Sequence, residues 1–218
     1  METHKIDIKF IDNFLTYEEC KYIKTKFFEL EDYIIENFST KNNYHNLTST
    51  FEKFNWLDEL PFLVDKLSTL FDEPTYVQCW GNILRPNQGI PCHAHTNTGV
   101  HFPVGNIFIW GDEKTGTMYG DKVIKNKIGQ LALFSSLIPH SVPINSTKIP
   151  RLSIAFDAYP ENMSNKLLRK IEGSKHEYRG NDEREAGYIG NSKTVGKYLA
   201  KHKFATAKKL GFQELLLN

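Results

Sequence analysis

From Thr75 onward the chain breaks into short segments rich in β-branched and aromatic residues, each closed by Gly, Pro or Asn signals, and this confines it to few folds. The segments are TYVQCWGNIL (75–84), VGNIFIWG (104–111), GTMYG (116–120), GQLALFSS (129–136), HSVPI (140–144) and RLSIAFDAY (151–159). Several short strands at such close spacing imply a β-sandwich or barrel. A jelly-roll closes two such sheets face to face and leaves a mouth between them, where side chains of neighbouring strands can converge on one point.

Upstream the pattern differs. Residues 5–72 read as a short strand, Lys5 to Phe10, followed by two amphipathic helices. Thr16 and Glu19 form a T-x-x-E capping box, in which each side chain satisfies a backbone N–H that the helix start leaves unpaired. Cys20, Ile23, Phe27 and Leu30 then recur at helical spacing. The second helix is expected from Trp56 to Phe71, with Pro61 marking a first turn. Between the helices, FSTKNNYHNLTSTFEK (38–53) reads as a polar loop that could lie over a pocket.

Beyond Pro160 the stretch GSKHEYRGNDEREAGYIGNSK (173–193) is strongly polar, and Ser192 to Leu210 holds six lysines and no acidic residue. The expected organisation is therefore one domain over 1–160, comprising the β core and its N-terminal helical layer, and a polar linker with a basic helical extension over 161–218. The fold class is α+β, mainly β: a double-stranded β-helix, or jelly-roll, with N-terminal helices packed on one sheet.

Composition mainly excludes. A formal charge of +1 across 218 residues gives no global signal for nucleic acid or an anionic membrane, and the lysine-rich tail lacks the aromatic interleaving that stacks bases. No segment approaches the roughly 20 apolar residues that span a bilayer, and the start METHKIDIKFIDNF lacks the pattern of a leader. Three cysteines, Cys20, Cys79 and Cys92, form no CxxC pair, which suits free thiols in a reduced, cytoplasmic compartment.

The chemistry lies in PCHAHTNTG (91–99) and in the run from Gly129 to Phe156. His93 and His95 stand at i and i+2, which on an extended segment puts both imidazoles on one face. His140 follows a proline and opens another strand, near enough in a jelly-roll to complete a coordination face. Eleven residues later Arg151 begins the last core strand.

These residues resemble the iron(II)- and 2-oxoglutarate-dependent oxygenases, whose pattern is H-x-D or H-x-E, a distal His, and an Arg ten or more residues on. The resemblance covers about Thr75 to Asp157, including GQLALFSSLIPHSVP (129–143) and R-x-S at Arg151 and Ser153. FIDNFLTYEECKYI (10–23) is similar to the family's entry segment, and CWGNILRPNQGIPCHAH (79–95) to a version common in phages and marine microbes, with a prolyl-hydroxylase-like core. The resemblance implies a hydroxylating dioxygenase whose cofactors are Fe(II) and 2-oxoglutarate, with O2 and a protein side chain or small metabolite as the other partners. It assigns His93 and His140 to the metal, and Arg151 and Ser153 to the far carboxylate of 2-oxoglutarate. Asn82 and Asn106, on strands that would line the mouth, could hydrogen-bond the co-substrate, and Asn106 joins the cofactor-binding set.

One position departs from the pattern: His95 stands where the family has Asp or Glu. His95 can replace the carboxylate as a third ligand. Alternatively the carboxylate position is filled by water or an anion with His95 turned away, or the motif shifts to His95 and Asn97, which leaves His93 without a role. The expected metal set is His93, His95 and His140. Other histidines (His4, His45, His101, His176 and His202) and Cys92 read as structural, and Trp80 and Trp110 read as core. Two rival functions remain open: a cupin-like three-histidine dioxygenase that uses no 2-oxoglutarate, and a jelly-roll binding module without activity.

Overall fold

The computed structural model describes residues 8–38, 56–71, 75–95 and 101–160. Its elements follow the order β1 (Lys9–Ile11), α1 (Tyr17–Phe38), α2 (Trp56–Glu59), α3 (Pro61–Leu67), β2 (Thr75–Leu84), β3 (Ile90–His93), β4 (Pro103–Trp110), β5 (Thr117–Tyr119), β6 (Lys122–Ile124), β7 (Leu131–Ser135), β8 (His140–Val142) and β9 (Arg151–Pro160). The expected loop over 38–53 falls almost wholly outside the described residues, as does the chain from 161 onward with its basic extension.

The strands form two antiparallel sheets, one of five strands in the order β1-β7-β4-β9-β2 and one of four in the order β3-β8-β5-β6. β9 is the spine of the larger sheet. It pairs along its whole length with β2, from Thr75↔Pro160 to Leu84↔Arg151, and on its other edge with β4. Side chains alternate across this sheet. Outward positions such as Ile107, Leu131, Leu133, Leu152, Ile154 and Phe156 bury themselves against Cys20, Ile23 and Phe27 of α1 and Leu63 of α3, forming the main apolar core. Inward positions face the smaller sheet.

The inward layer is unusually polar. Beside the small apolar cluster of Phe102, Val104, Tyr119, Phe134 and Tyr159, it buries Asn82, Arg151, Ser153 and Asp157, with Thr117 contributed by β5. A purely structural core would fill such positions with apolar groups, because each buried polar group must find a partner or lose free energy.

α1 begins as its sequence requires: the Thr16 N–H donates to the Glu19 carboxylate at 2.7 Å, and the Glu19 N–H donates to the Thr16 hydroxyl at 3.2 Å. The second helix is two helices. Pro61 has no N–H and disfavours helical backbone at the residue before it; Leu60 accordingly sits at φ −127° and ψ 64°, and α3 restarts with Pro61 in its first turn. The first strand is observed over Lys9–Ile11, slightly later than expected, with residues 1–7 outside the described part. Among the described residues no helix is long and apolar enough to cross a membrane. All three cysteines are free thiols, Cys20 and Cys79 buried and Cys92 exposed.

Candidate metal centre

Strand pairing delivers the histidines. His93 ends β3 directly opposite His140, the first residue of β8, and Tyr119 of β5 lies opposite His140 on its other side. His95 sits two residues past the end of β3, where its N–H donates to the Ser136 carbonyl at 2.9 Å. One ligand atom from each of His93, His95 and His140 lies within 4.8 Å of the others. The same-face expectation for His93 and His95 is met, with ring centroids 5.4 Å apart and an interplanar angle of 21°.

The hydrogen bonds decide which nitrogen faces inward. The Nδ1–H of His93 donates to the Pro91 carbonyl at 2.9 Å, and that of His140 donates to the Ile138 carbonyl at 3.0 Å. The Nδ1–H of His95 donates to Asp157 Oδ1 at 2.5 Å. A carbonyl or carboxylate oxygen only accepts, so each ring carries a proton on Nδ1, and in its neutral form each presents an Nε2 lone pair. His95 Nε2 and His140 Nε2 are 3.3 Å apart. Two rings in the neutral, Nδ1-protonated form gain nothing from such an approach. Two donors about 2.1 Å from a shared cation, at octahedral or tetrahedral angles, would stand about 3.0–3.4 Å apart.

The electrostatics agree. Burial holds the His140 ring down to about 3 and lowers His93 as well, with the neighbouring imidazoles adding to it against the pull of the backbone carbonyls. The His93 and His140 rings are thus neutral at physiological pH, the form that ligates. The donor set fits a borderline divalent ion such as iron(II), nickel or zinc.

Behind His95 runs a short chain of polar groups. Asp157 Oδ2 accepts from the Tyr159 hydroxyl at 3.0 Å, and both residues are 7% exposed. Trp80 is not core: its ring lies 5.7 Å from that of His95 and is half-buried at the mouth. Trp110 packs at the edge of the helical layer, with Lys24 Nζ 3.7 Å above its ring.

Arg151 is fully buried. Its guanidinium donates from Nε to the Thr115 carbonyl at 3.1 Å, from Nη1 to the Ser153 hydroxyl at 3.1 Å and from Nη2 to the Thr117 hydroxyl at 3.0 Å. All three acceptors are neutral, and no carboxylate among the described residues pairs with it. Burial lowers its pKa to about 10, opposed by the nearby Tyr119, so it stays charged. Of five N–H groups two remain, one on each terminal nitrogen, which is the fork that grips a carboxylate in two places. β5 connects the two halves of the site, since Thr117 holds Arg151 and Tyr119 stands opposite His140. Asn106 does not touch Arg151; it lines a cleft with Phe108, Thr117, Tyr119 and Ala132. Asn82 is buried in the row Asn82–Ser153–Phe108 across β2, β9 and β4.

His93, His95 and His140 are brought together, and Arg151 with Ser153. His101 stands apart from the histidine cluster, its Nδ1 3.5 Å from the Ser135 hydroxyl; Cys92 is exposed. His4, His45, Asn97, His176 and His202 lie outside the described residues. Sequence reasoning passed over Asp157, Tyr159, Thr115, Thr117 and Tyr119. A signal for two of them was present: counting by twos from Arg151 along β9 reaches Ser153, Ala155, Asp157 and Tyr159, all on the inward face.

No family profile and no curated protein matches the chain. Solved structures do. HygX from Streptomyces hygroscopicus, with nickel, 2-oxoglutarate and hygromycin B bound, is similar at 11% identity and TM-score 0.53 over 72% of this chain and 84% of that one. SnoN, a non-heme alpha-ketoglutarate-dependent epimerase from nogalamycin biosynthesis, is similar at 12% identity and TM-score 0.52 over 71% and 79%. The fold is that of the 2-oxoglutarate- and iron(II)-dependent oxygenases.

Proposed function

We propose that this protein is an iron(II)- and 2-oxoglutarate-dependent dioxygenase that hydroxylates a protein side chain or a small metabolite. His93, His95 and His140 hold the metal through Nε2, and Arg151 with Ser153 binds the far carboxylate of 2-oxoglutarate. Asn106, in the cleft beside them, is an adjoining contact for the co-substrate. The carrying observation is the pairing of two features that β5 joins: three histidines whose ligand atoms lie within 4.8 Å of one another, and a fully buried guanidinium with no acid partner among the described residues. Support also comes from HygX, which shares the fold and was solved with nickel and 2-oxoglutarate bound.

When bound, the metal would activate dioxygen, the oxidant, and 2-oxoglutarate would supply two of the four electrons needed, leaving as succinate and carbon dioxide while the substrate supplies the other two. The chain's own residues bind and orient. The backbone carbonyls of Pro91 and Ile138 keep the His93 and His140 rings in the ligating tautomer. Thr115, Ser153 and Thr117 hold the guanidinium of Arg151 so that its two remaining N–H groups point away from all three. Burying that cation alone is costly, and an incoming carboxylate offsets the cost, so affinity and charge selectivity come from the same residue.

The test is an anaerobic titration of the iron(II)-loaded protein with 2-oxoglutarate, following the weak visible charge-transfer band of a chelated complex. The wild type is expected to develop the band, and Arg151→Met to need at least about tenfold more 2-oxoglutarate, the loss of a charge-assisted bidentate contact. Turnover is read as 2-oxoglutarate-dependent succinate release. Bound iron with no band and no succinate would favour a three-histidine dioxygenase that oxidises its substrate without 2-oxoglutarate, a reading that His95 supports and that leaves Arg151 without a task.

A further inference from the structure

The centre contains a carboxylate that stands outside the group of three ligand atoms, on the far side of one of the rings. Three neutral imidazoles bring no negative charge to a divalent ion, whereas two imidazoles and a carboxylate bring one. In this chain a carboxylate stands immediately behind the ring that occupies the carboxylate's place: Asp157 Oδ1 is 2.5 Å from His95 Nδ1. We propose that Asp157 is a positioning residue which locks His95 as a ligand and supplies, through that ring, the negative charge a three-imidazole face lacks. The proposal rests on the metal reading above and adds to it a fourth, indirect participant.

Three features carry it. First, Asp157 cannot swing away. It sits on β9 between Gln78 of β2 and Val104 of β4 in a fully paired part of the sheet, and its second oxygen is fixed by the Tyr159 hydroxyl at 3.0 Å. Second, Asp157 and Tyr159 are 7% exposed, so water does not compete for the carboxylate or screen it. Third, the three rings are supported unequally. His93 and His140 each donate to a neutral backbone carbonyl two residues earlier in the chain, while His95 lies beyond the end of β3 and donates to a carboxylate of β9. The ring with the least backbone support has the strongest side-chain support. A carboxylate behind a ligating imidazole fixes its orientation and raises its basicity, and removing such a partner typically weakens metal binding by about 10- to 100-fold.

A structural role alone, a buried Asp–His bond that ties β9 to the β3 end, makes a different prediction. Asp157→Asn separates the two. The amide oxygen can still accept from His95 Nδ1–H, and the amide nitrogen can donate to the Tyr159 oxygen, so both contacts persist and only the charge is lost. The measurement is zinc(II) and cobalt(II) affinity of the full chain by competition with a chelator, together with the visible spectrum of the cobalt form, for wild type, Asp157→Asn, Tyr159→Phe and His140→Ala. The expected result for Asp157→Asn is affinity lower by about 10- to 100-fold and an altered cobalt spectrum, with metal-free melting temperature close to wild type. Tyr159→Phe, which leaves the charge but loosens it, is expected to lose only a few-fold. Should Asp157→Asn fold poorly, Tyr159→Phe still decides, because unchanged affinity and spectrum there would remove the chain of support. Affinity within about twofold of wild type in Asp157→Asn, with an unchanged spectrum, overturns the proposal while His140→Ala still abolishes binding and the metal reading stands. If wild type itself binds neither ion, the metal reading fails and the proposal with it.

Discussion

Each imidazole in the centre is set by what its Nδ1 touches, and that setting has a pH consequence that can be read without metal. Burial, reinforced by the neighbouring rings, holds His140 down to about 3, whereas an unfolded histidine takes its proton near 6.5. Below about 6.5 the unfolded chain therefore binds a proton that the folded chain refuses, and stability falls as pH drops from there toward about 3. Above that window the contribution is complete. For one such group the slope reaches about 1.4 kcal/mol per pH unit. Urea unfolding of chelator-treated protein at pH 7.5 and 5.5 is expected to show this loss, and His140→Gln to flatten it. Equal pH dependence in the two proteins would contradict the burial of a neutral ring. The candidate residues were reached in the sequence through the resemblance, whose H-x-D or H-x-E, distal His and following Arg fall on His93, His140 and Arg151 with His95 as the departure. The tautomers were not, since they depend on carbonyls and a carboxylate brought from elsewhere in the fold.

At the scale of elements, the fold depends on where the chain enters β7 against the segment before α1. Gly129 leads into β7 at φ +77°, a conformation that other residues adopt only with strain. A Cβ there would collide with the Leu15 carbonyl oxygen, and the Leu15 N–H donates to the Gly129 carbonyl at 3.0 Å. Gly129→Ala is therefore expected to destabilise by about 1–3 kcal/mol or more, read as a lower urea midpoint. Thr16→Ala, which removes one half of the capping box at the start of α1, is expected to cost about 1 kcal/mol. Both sites lie on the helical side of the larger sheet, so neither is expected to change metal affinity in the folded protein. The strands at 75–84, 104–111, 129–136 and 151–159 were readable from composition and turns. β6 was not, because Lys122–Ile124 is three largely exposed residues with no pattern of its own, and it exists only by pairing with β5. The break at Leu60 was partly readable: Pro61 announced a helix start, and its other consequence is that the preceding turn must end.

For the whole molecule, the two faces of the five-stranded sheet divide the work. The outer face and helices form the apolar core; the inner face holds charged and polar groups that would be costly if nothing bound between the sheets. Metal binding should consequently add stability. At a metal concentration 100 times its dissociation constant the gain is about 2.7 kcal/mol, visible as a raised melting temperature that His140→Ala abolishes. The sequence by itself determined the mainly β fold and the helical layer, because periodicity and turn residues are local properties, and it was the resemblance to the oxygenases that singled out His93, His140, Arg151 and Ser153, with His95 in the carboxylate's place. Only the tertiary structure decided that His95 joins the other two instead of turning away, and that Asp157, sixty-two positions further on, stands behind it. Such pairings depend on strand register, which places Asp157 on the inward face of β9 and carries the chain past the end of β3 toward it; no local stretch of sequence contains that distance.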